Sequence, residues 1–137
     1  MRFVDTNVLL YVVSTDPAEA AKQRIASRIL DSGDLALSVQ VLQEFYVQST
    51  RARPSGRGAL THHQAAHFVE AFLRFPAQEL TVDILRAAMA TKQRYILSLW
   101  DALILEAART LGCRVVLSED MSNGSKYGSV KVVNPFA

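Results

Sequence analysis

Four carboxylates, Asp5, Glu44, Asp101 and Asp120, stand where the chain is expected to leave a strand or enter a helix. Asp5 closes the apolar opening Met1-Arg2-Phe3-Val4 and is followed at once by Thr6-Asn7-Val8-Leu9-Leu10-Tyr11. A strand that ends in a carboxylate and turns directly into a helix puts negative charge at the carboxyl edge of a sheet. In open α/β folds that edge is where ligands bind. Asp120 follows the apolar run Val115-Val116-Leu117 at a similar junction, with Glu119 competing for its place. Asp101 falls in the first turn of a helix begun by Ser98, and Glu44 lies further into one begun by Ser38. Two carboxylates ~5 Å apart repel by roughly 3 kcal/mol at an effective dielectric near 20. Three or four in one place therefore need protonation or a cation among them. An all-oxygen set without cysteine suits a hard divalent ion, Mg²⁺ first and Mn²⁺ second.

Each acid also has a plain local explanation. Asp5 would cap the helix that follows it. Ser98-x-x-Asp101 is a capping pair in its own right, although Leu99, Trp100, Leu103, Ile104 and Leu105 make that helix apolar on nearly every side. Glu44 lies away from the Val39/Leu42/Phe45/Tyr46 stripe, as a solvated glutamate would, and Asp120 or Glu119 could be a loop acid.

Strand and helix patterns alternate along the chain. A helix over about 6–13 follows the first strand, and Asp16-Pro17-Ala18-Glu19 offers a cap, a proline at the first helical position and a glutamate for a helix that should run to Ser32 and stop at Gly33. Leu35–Ser38 reads as a strand, Ser38 caps a helix to about Thr50, and Thr61-His62-His63-Gln64 opens a helix to about Phe75. A brief strand near 78–80, helices over about 82–94 and 98–112, and strands at 114–117 and 130–133 complete the pattern, with a Gly/Ser/Asn-rich loop before the last strand. Strands separated by single helices imply right-handed crossovers and a mostly parallel central sheet between helical layers. The expected fold is a three-layer α/β/α single domain over residues 1–137.

At 137 residues a core can be buried without staples, and the single cysteine, Cys113, excludes an internal disulfide and any cysteine-based zinc site. A net charge of +2 permits a nucleic-acid partner without requiring one. No apolar run reaches the ~18–20 residues of a membrane span, so a cytoplasmic protein without a membrane partner is expected.

The residues also carry a family resemblance. Phe3-Val4-Asp5-Thr6-Asn7-Val8-Leu9-Leu10-Tyr11, Gln40-Val41-Leu42-Gln43-Glu44-Phe45, Leu97-Ser98-Leu99-Trp100-Asp101-Ala102-Leu103-Ile104 and Leu117-Ser118-Glu119-Asp120-Met121, with Tyr127-Gly128 and Asn134-Pro135-Phe136 behind them, resemble the ordered motifs of PIN-domain ribonucleases, and among these the toxins of VapBC-type toxin–antitoxin pairs. The resemblance implies a metal-dependent endoribonuclease in which Asp5, Glu44, Asp101 and Asp120 hold Mg²⁺ or Mn²⁺, while Thr6, Asn7 and Ser118 are polar groups around them. The pattern Ser118-Glu119-Asp120 favours Asp120 over Glu119. It further implies an RNA substrate, a cognate antitoxin and a toxin homodimer. Rival readings are a PIN nuclease of RNA processing and a catalytically silent binding domain of the same fold.

Other features point elsewhere. Asp5-Thr6-Asn7 is also similar to the start of a haloacid-dehalogenase-type phosphatase, but Asn7 stands where that chemistry wants a second acid. His63 and His67, four apart beside His62, have metal-ligand spacing without a completing cysteine and read as surface or interface residues. Phe68, Phe72 and Phe75 read as core or dimer contact. Arg51-Ala52-Arg53-Pro54-Ser55-Gly56-Arg57-Gly58 is either a solvated loop or a phosphate-gripping arm. If Arg51, Arg53 and Arg57 each contact a phosphate, changing all three to alanine should reduce the slope of log K against log salt for RNA binding by about 2. An unchanged slope in a salt titration would assign them to the solvated loop.

Overall fold

The computed structural model describes residues 1–52 and 59–137. Its elements follow the alternation expected of the sequence: β1 (Arg2–Val4), α1 (Thr6–Val12), α2 (Ala20–Ser32), β2 (Leu35–Ser38), α3 (Val39–Thr50), α4 (His62–Phe72), β3 (Ala77–Gln78), α5 (Val82–Tyr95), α6 (Leu99–Thr110), β4 (Val115–Leu117), β5 (Lys126–Tyr127) and β6 (Val130–Val133).

The six strands form one sheet in the order β3-β2-β1-β4-β6-β5. Every pairing is parallel except that of β5 with β6. From β1 the chain builds outward through β2 and β3, then returns to place β4 on the other side. The boundary between β1 and β4 is thus the point where strand order reverses, which opens a crevice at the carboxyl edge. Register fixes what faces that crevice: Phe3 pairs with Val116 and Val4 with Leu117. The next residues on the two strands are Asp5 and Ser118.

Short hydrophobic strands such as these must be covered on both faces, and their neighbours do so. Phe3, Val4, Leu35, Leu37, Val116 and Val130 are almost fully buried. Helix α6 lies against β2, β3, β4 and β6, with α5 packed on its outside; α1 packs on α2 and α3, and α3 on α4. The phenylalanines of α4 and of the turn after it belong to the core: Phe72 and Phe75 are buried, and Phe45 meets Phe72 edge-on at 5.1 Å. Phe68, partly buried, stands edge-on to the same Phe45. Among the described residues no helix is long and apolar enough to cross a membrane.

Two elements differ from the sequence expectation. Pro17–Glu19 forms a 3₁₀ turn and the α-helix starts only at Ala20. Asp16 does cap, accepting the Ala18 N–H at 3.0 Å. Glu19, however, accepts the Ser14 hydroxyl at 2.7 Å instead of reaching back to close a capping box. The second difference is β5, inside the stretch expected to be loop. It pairs with β6 through the two-residue turn Gly128-Ser129. That hairpin is fastened from outside: Arg109 on α6 donates to the Tyr127 carbonyl at 2.9 Å and to Ser129 Oγ at 3.2 Å, while its Nε faces both oxygens of buried Glu106. Gly128 has φ +63°, and a Cβ there would stand 2.9 Å from Arg109 Nη1.

Replacing Arg109 with alanine leaves Glu106 unpaired in the interior and frees the hairpin. Urea unfolding should show a loss of roughly 1–3 kcal/mol; a change below ~0.5 kcal/mol would mean that the guanidinium holds nothing.

Candidate active site

The carboxylate of Asp5 is built into the start of α1. Its Oδ1 accepts the Thr6 N–H at 2.7 Å, the helix cap expected of it, and its Oδ2 accepts the Ser118 hydroxyl at 2.7 Å from the neighbouring strand end. The residue is only 7% exposed. Burial pushes its carboxyl up from 3.8 to about 6; the two hydrogen bonds oppose this, and the negative charges of Glu44 and Asp120 add to it. Asp5 is therefore both a structural cap and a carboxylate whose charge is poorly supported by the protein alone.

The other acids arrive from three separate elements. Glu44 comes from α3, where Thr6 Oγ1 donates to its Oε2 at 2.8 Å and Gln40 Nε2 to its Oε1 at 3.1 Å. Asp101 lies in the first turn of α6, which Ser98 caps by accepting the Asp101 N–H at 3.1 Å. Its carboxyl is also raised, first by burial and then by Asp120 and Glu44, with the Ser98 hydroxyl partly offsetting both. Asp120 follows β4 and accepts from Asn7 Nδ2 at 3.2 Å.

Asn7 and Ser118 organise the loop that carries Asp120. Asn7 Nδ2 also donates to Ser118 Oγ at 3.3 Å, and Asn7 Oδ1 accepts the Glu119 N–H at 3.1 Å. Ser118 Oγ in turn accepts the backbone N–H groups of Asp120 and Met121 at 3.2 and 3.3 Å. Thr6, Asn7 and Ser118 are all buried, and no buried side-chain N or O among the described residues lacks a partner.

Glu119 is engaged elsewhere. It accepts the Tyr11 hydroxyl at 2.5 Å and an ion pair from Lys22 at 2.8 Å, which holds its carboxyl below the usual range against the opposing effect of burial. Among the described residues no such cation pairs with Asp120, so it is the freer of the two adjacent acids to face the cavity.

All four acids line a single cavity of about 290 Å³ at the carboxyl edge of β1 and β4, with Thr6, Asn7, Gln40, Tyr11, Trp100 and Glu119 among its other walls. Among the described residues, no three His, Cys, Asp or Glu side chains are drawn together closely enough to form a ready ligand set. Asp5, Glu44 and Asp120 are each turned instead toward donors of their own. As chemistry the set nonetheless fits a hard cation: every donor is oxygen, the charges are alike, and burial has lifted two of the carboxyls.

The remaining candidates are not brought here. His63 and His67 are exposed on α4, and His62 Nδ1 meets the Tyr46 hydroxyl at 2.8 Å. Arg51 is exposed at the end of α3 and does not line the cavity; Arg53 and Arg57 lie outside the described residues. Sequence reading missed Gln40, which is visible in hindsight because it sits one turn before Glu44 on the same helical face. It also missed the contact of Lys22 with Glu119, for which no local pattern exists, and the exposure of Trp100.

The chain belongs to the PIN-domain family, which it matches over residues 2–122. No curated protein matches it. Among solved structures it is similar to a toxin–antitoxin complex from Klebsiella pneumoniae (23% identity, 98% of each chain covered, TM-score 0.72). It is also similar to VapC20 of Mycobacterium tuberculosis, described as a sarcin–ricin loop cleaving toxin (20% identity, 88% of this chain and 90% of that one, TM-score 0.67). FitAcB of Neisseria gonorrhoeae is a third (18% identity, 99% of each chain, TM-score 0.67). At these identities the likeness establishes the fold.

The raised Asp5 carboxyl gives a signed prediction. The folded chain holds that proton more tightly than the unfolded chain, so the stability linked to Asp5 is fully present below pH ~4 and is lost as pH rises through about 6. The difference is on the order of 3 kcal/mol, reduced by the hydrogen bonds an uncharged replacement must remake. Asp5→Asn should therefore stabilise the metal-free protein at pH 7.5 by roughly 1–3 kcal/mol and give little gain at pH 4. Urea melts at the two pH values check this, and a variant less stable at both would show that the cap and the Ser118 contact outweigh the buried charge.

Proposed function

We propose that this chain is a divalent-metal-dependent endoribonuclease and the toxin of a toxin–antitoxin pair. The observation that carries the reading is the meeting of Asp5, Glu44, Asp101 and Asp120, from four elements, on one cavity beside the β1/β4 boundary. Family membership supports it. The toxin role draws on structural neighbours that are themselves toxin–antitoxin proteins.

Asp5, Glu44, Asp101 and Asp120 would hold Mg²⁺, or Mn²⁺ in its place. Such an ion, when bound, neutralises phosphate charge and makes a water acidic enough to attack a phosphodiester. The chain's own groups prepare that site. Ser118 and the Thr6 N–H fix the two oxygens of Asp5, and the Thr6 side chain and Gln40 aim Glu44. Asn7 ties the Asp120 loop to α1, so the four carboxylates keep one arrangement as substrate enters. With Glu119 paired to Lys22, Asp120 is the acid of this loop that would face the ion. The cognate partner would be an antitoxin protein, the working form a homodimer, and the place of action the cytoplasm.

With purified protein and single-stranded RNA, EDTA should abolish cleavage and Mn²⁺ should restore it. Asp5→Asn and Asp101→Asn should each lower the rate at least a hundredfold, about 3 kcal/mol or more of transition-state stabilisation. Products should carry 5′-phosphate and 3′-hydroxyl ends. A 2′,3′-cyclic phosphate, or full activity in EDTA, would overturn the mechanism. Growth arrest on expression, relieved by the product of an adjacent gene, separates a toxin from a processing nuclease.

A further inference from the structure

Helix α6 presents a contradiction: Ala102 through Ala108 are buried without a break, yet Trp100, two residues earlier, is 64% exposed. Trp100 lines the carboxylate cavity, and the next residue is Asp101. The backbone beneath it is held, since Ser98 caps the helix and Gln40 Nε2 reaches the Trp100 carbonyl at 3.4 Å. The same Gln40 amide binds Glu44, so the indole and the acid set are carried on one connected frame.

We propose that Trp100 is the platform on which a nucleobase flanking the scissile phosphate stacks. The proposal rests on the nuclease reading above and assigns that site its base-binding residue. Two further observations support it. Tyr11, the other aromatic ring in the cavity wall, is already engaged: it stands edge-on to Phe136 at 4.8 Å, Lys22 Nζ lies 5.1 Å from its ring centre, and its hydroxyl is tied to Glu119. No aromatic or cationic partner is stacked on Trp100 among the described residues. In addition, the cavity wall contains no lysine or arginine among the described residues. The described wall is acidic, and Lys22 beside it is already paired to Glu119. A stacking contact would hold the nucleotide in register without adding charge to this wall, and stacking does so with little dependence on base identity.

Trp100 is the chain's only tryptophan, so the contact reports itself. The uncut complex is formed with Asp5→Asn, whose lost metal affinity prevents cleavage, and titrated with a twelve-nucleotide single-stranded RNA, then with an abasic ribose-phosphate strand of equal length. RNA should quench the indole emission and the abasic strand should not. On the otherwise unchanged chain, Trp100→Leu should raise KM for RNA about 10- to 100-fold, with kcat moving far less. Trp100→Phe should recover most of that loss. The leucine variant keeps apolar bulk, so a merely structural role would not separate it from phenylalanine.

Equal quenching by both strands, no quenching by RNA, or equal KM for the leucine and phenylalanine variants would each overturn the proposal. So would a fall in molar mass of Trp100→Leu by light scattering with KM unchanged, which would assign the ring to a protein interface. Quenching by RNA without metal-dependent cleavage by the native chain would support the stacking contact while refuting the nuclease reading.

Discussion

A carboxylate buried at the end of a central strand must be compensated, and the surroundings of Asp5 are arranged around that need. The protein supplies two hydrogen bonds, one from the start of α1 and one from the end of β4. The second depends on strand register, in which Val4 pairs with Leu117 and leaves Asp5 level with Ser118. A slip of one residue between β1 and β4 would turn Ser118 to the other face and remove the contact. The hydrogen bonds do not suffice, however, because Glu44 and Asp120 add like charge to a site already poor in solvent. What remains is an electrostatic deficit that a doubly charged ion would satisfy.

This constraint explains why the polar residues near the site are buried and fully paired while the acids stay open to the cavity. Thr6 bonds Glu44, Asn7 bonds both Asp120 and the Glu119 backbone, and Ser118 bonds Asp5 and receives two backbone N–H groups. Helix α1 thus serves as the hub: residues 5, 6 and 7 reach β4, α3 and the loop after β4 in turn. The fold places those elements within reach because β1 is the strand at which sheet order reverses. Lys22 contributes by withdrawing Glu119, so that two adjacent acids acquire different roles.

Much of this was legible in the order of residues. The boundaries of α1, α3 and α6 follow from Asp5, Ser38 and Ser98 as caps, and all three cap as their types suggest. Apolar strands of three or four residues between helices are enough to specify a mostly parallel sheet. Less legible was β5, whose two residues carry little β signal by themselves, although Gly128-Ser129 is a short hairpin turn. The 3₁₀ turn at Pro17–Glu19 escaped because the competing partner of Glu19, Ser14, precedes the proline rather than lying inside the helix. The exposure of Trp100 could not be read from a helix that is apolar on nearly every side; only the packing of α5 against α6 shows which part of it is left uncovered. Long-range pairs such as Lys22 with Glu119 have no local signature at all.

The central claim is that Asp5, the most deeply buried of the four acids, carries a charge the protein cannot neutralise unaided, and calorimetric titration with Mn²⁺ at pH 5 and pH 7.5 tests it most directly. Since Asp5 ionises only near pH 6 in the metal-free chain, binding should weaken by about tenfold or more at the lower pH and should release a proton to the buffer there. Asp5→Asn should lose most of the affinity and most of that proton release, the remainder coming from Asp101, whose carboxyl burial also raises. Tight Mn²⁺ binding with the same affinity at both pH values, or unchanged in Asp5→Asn, would contradict it.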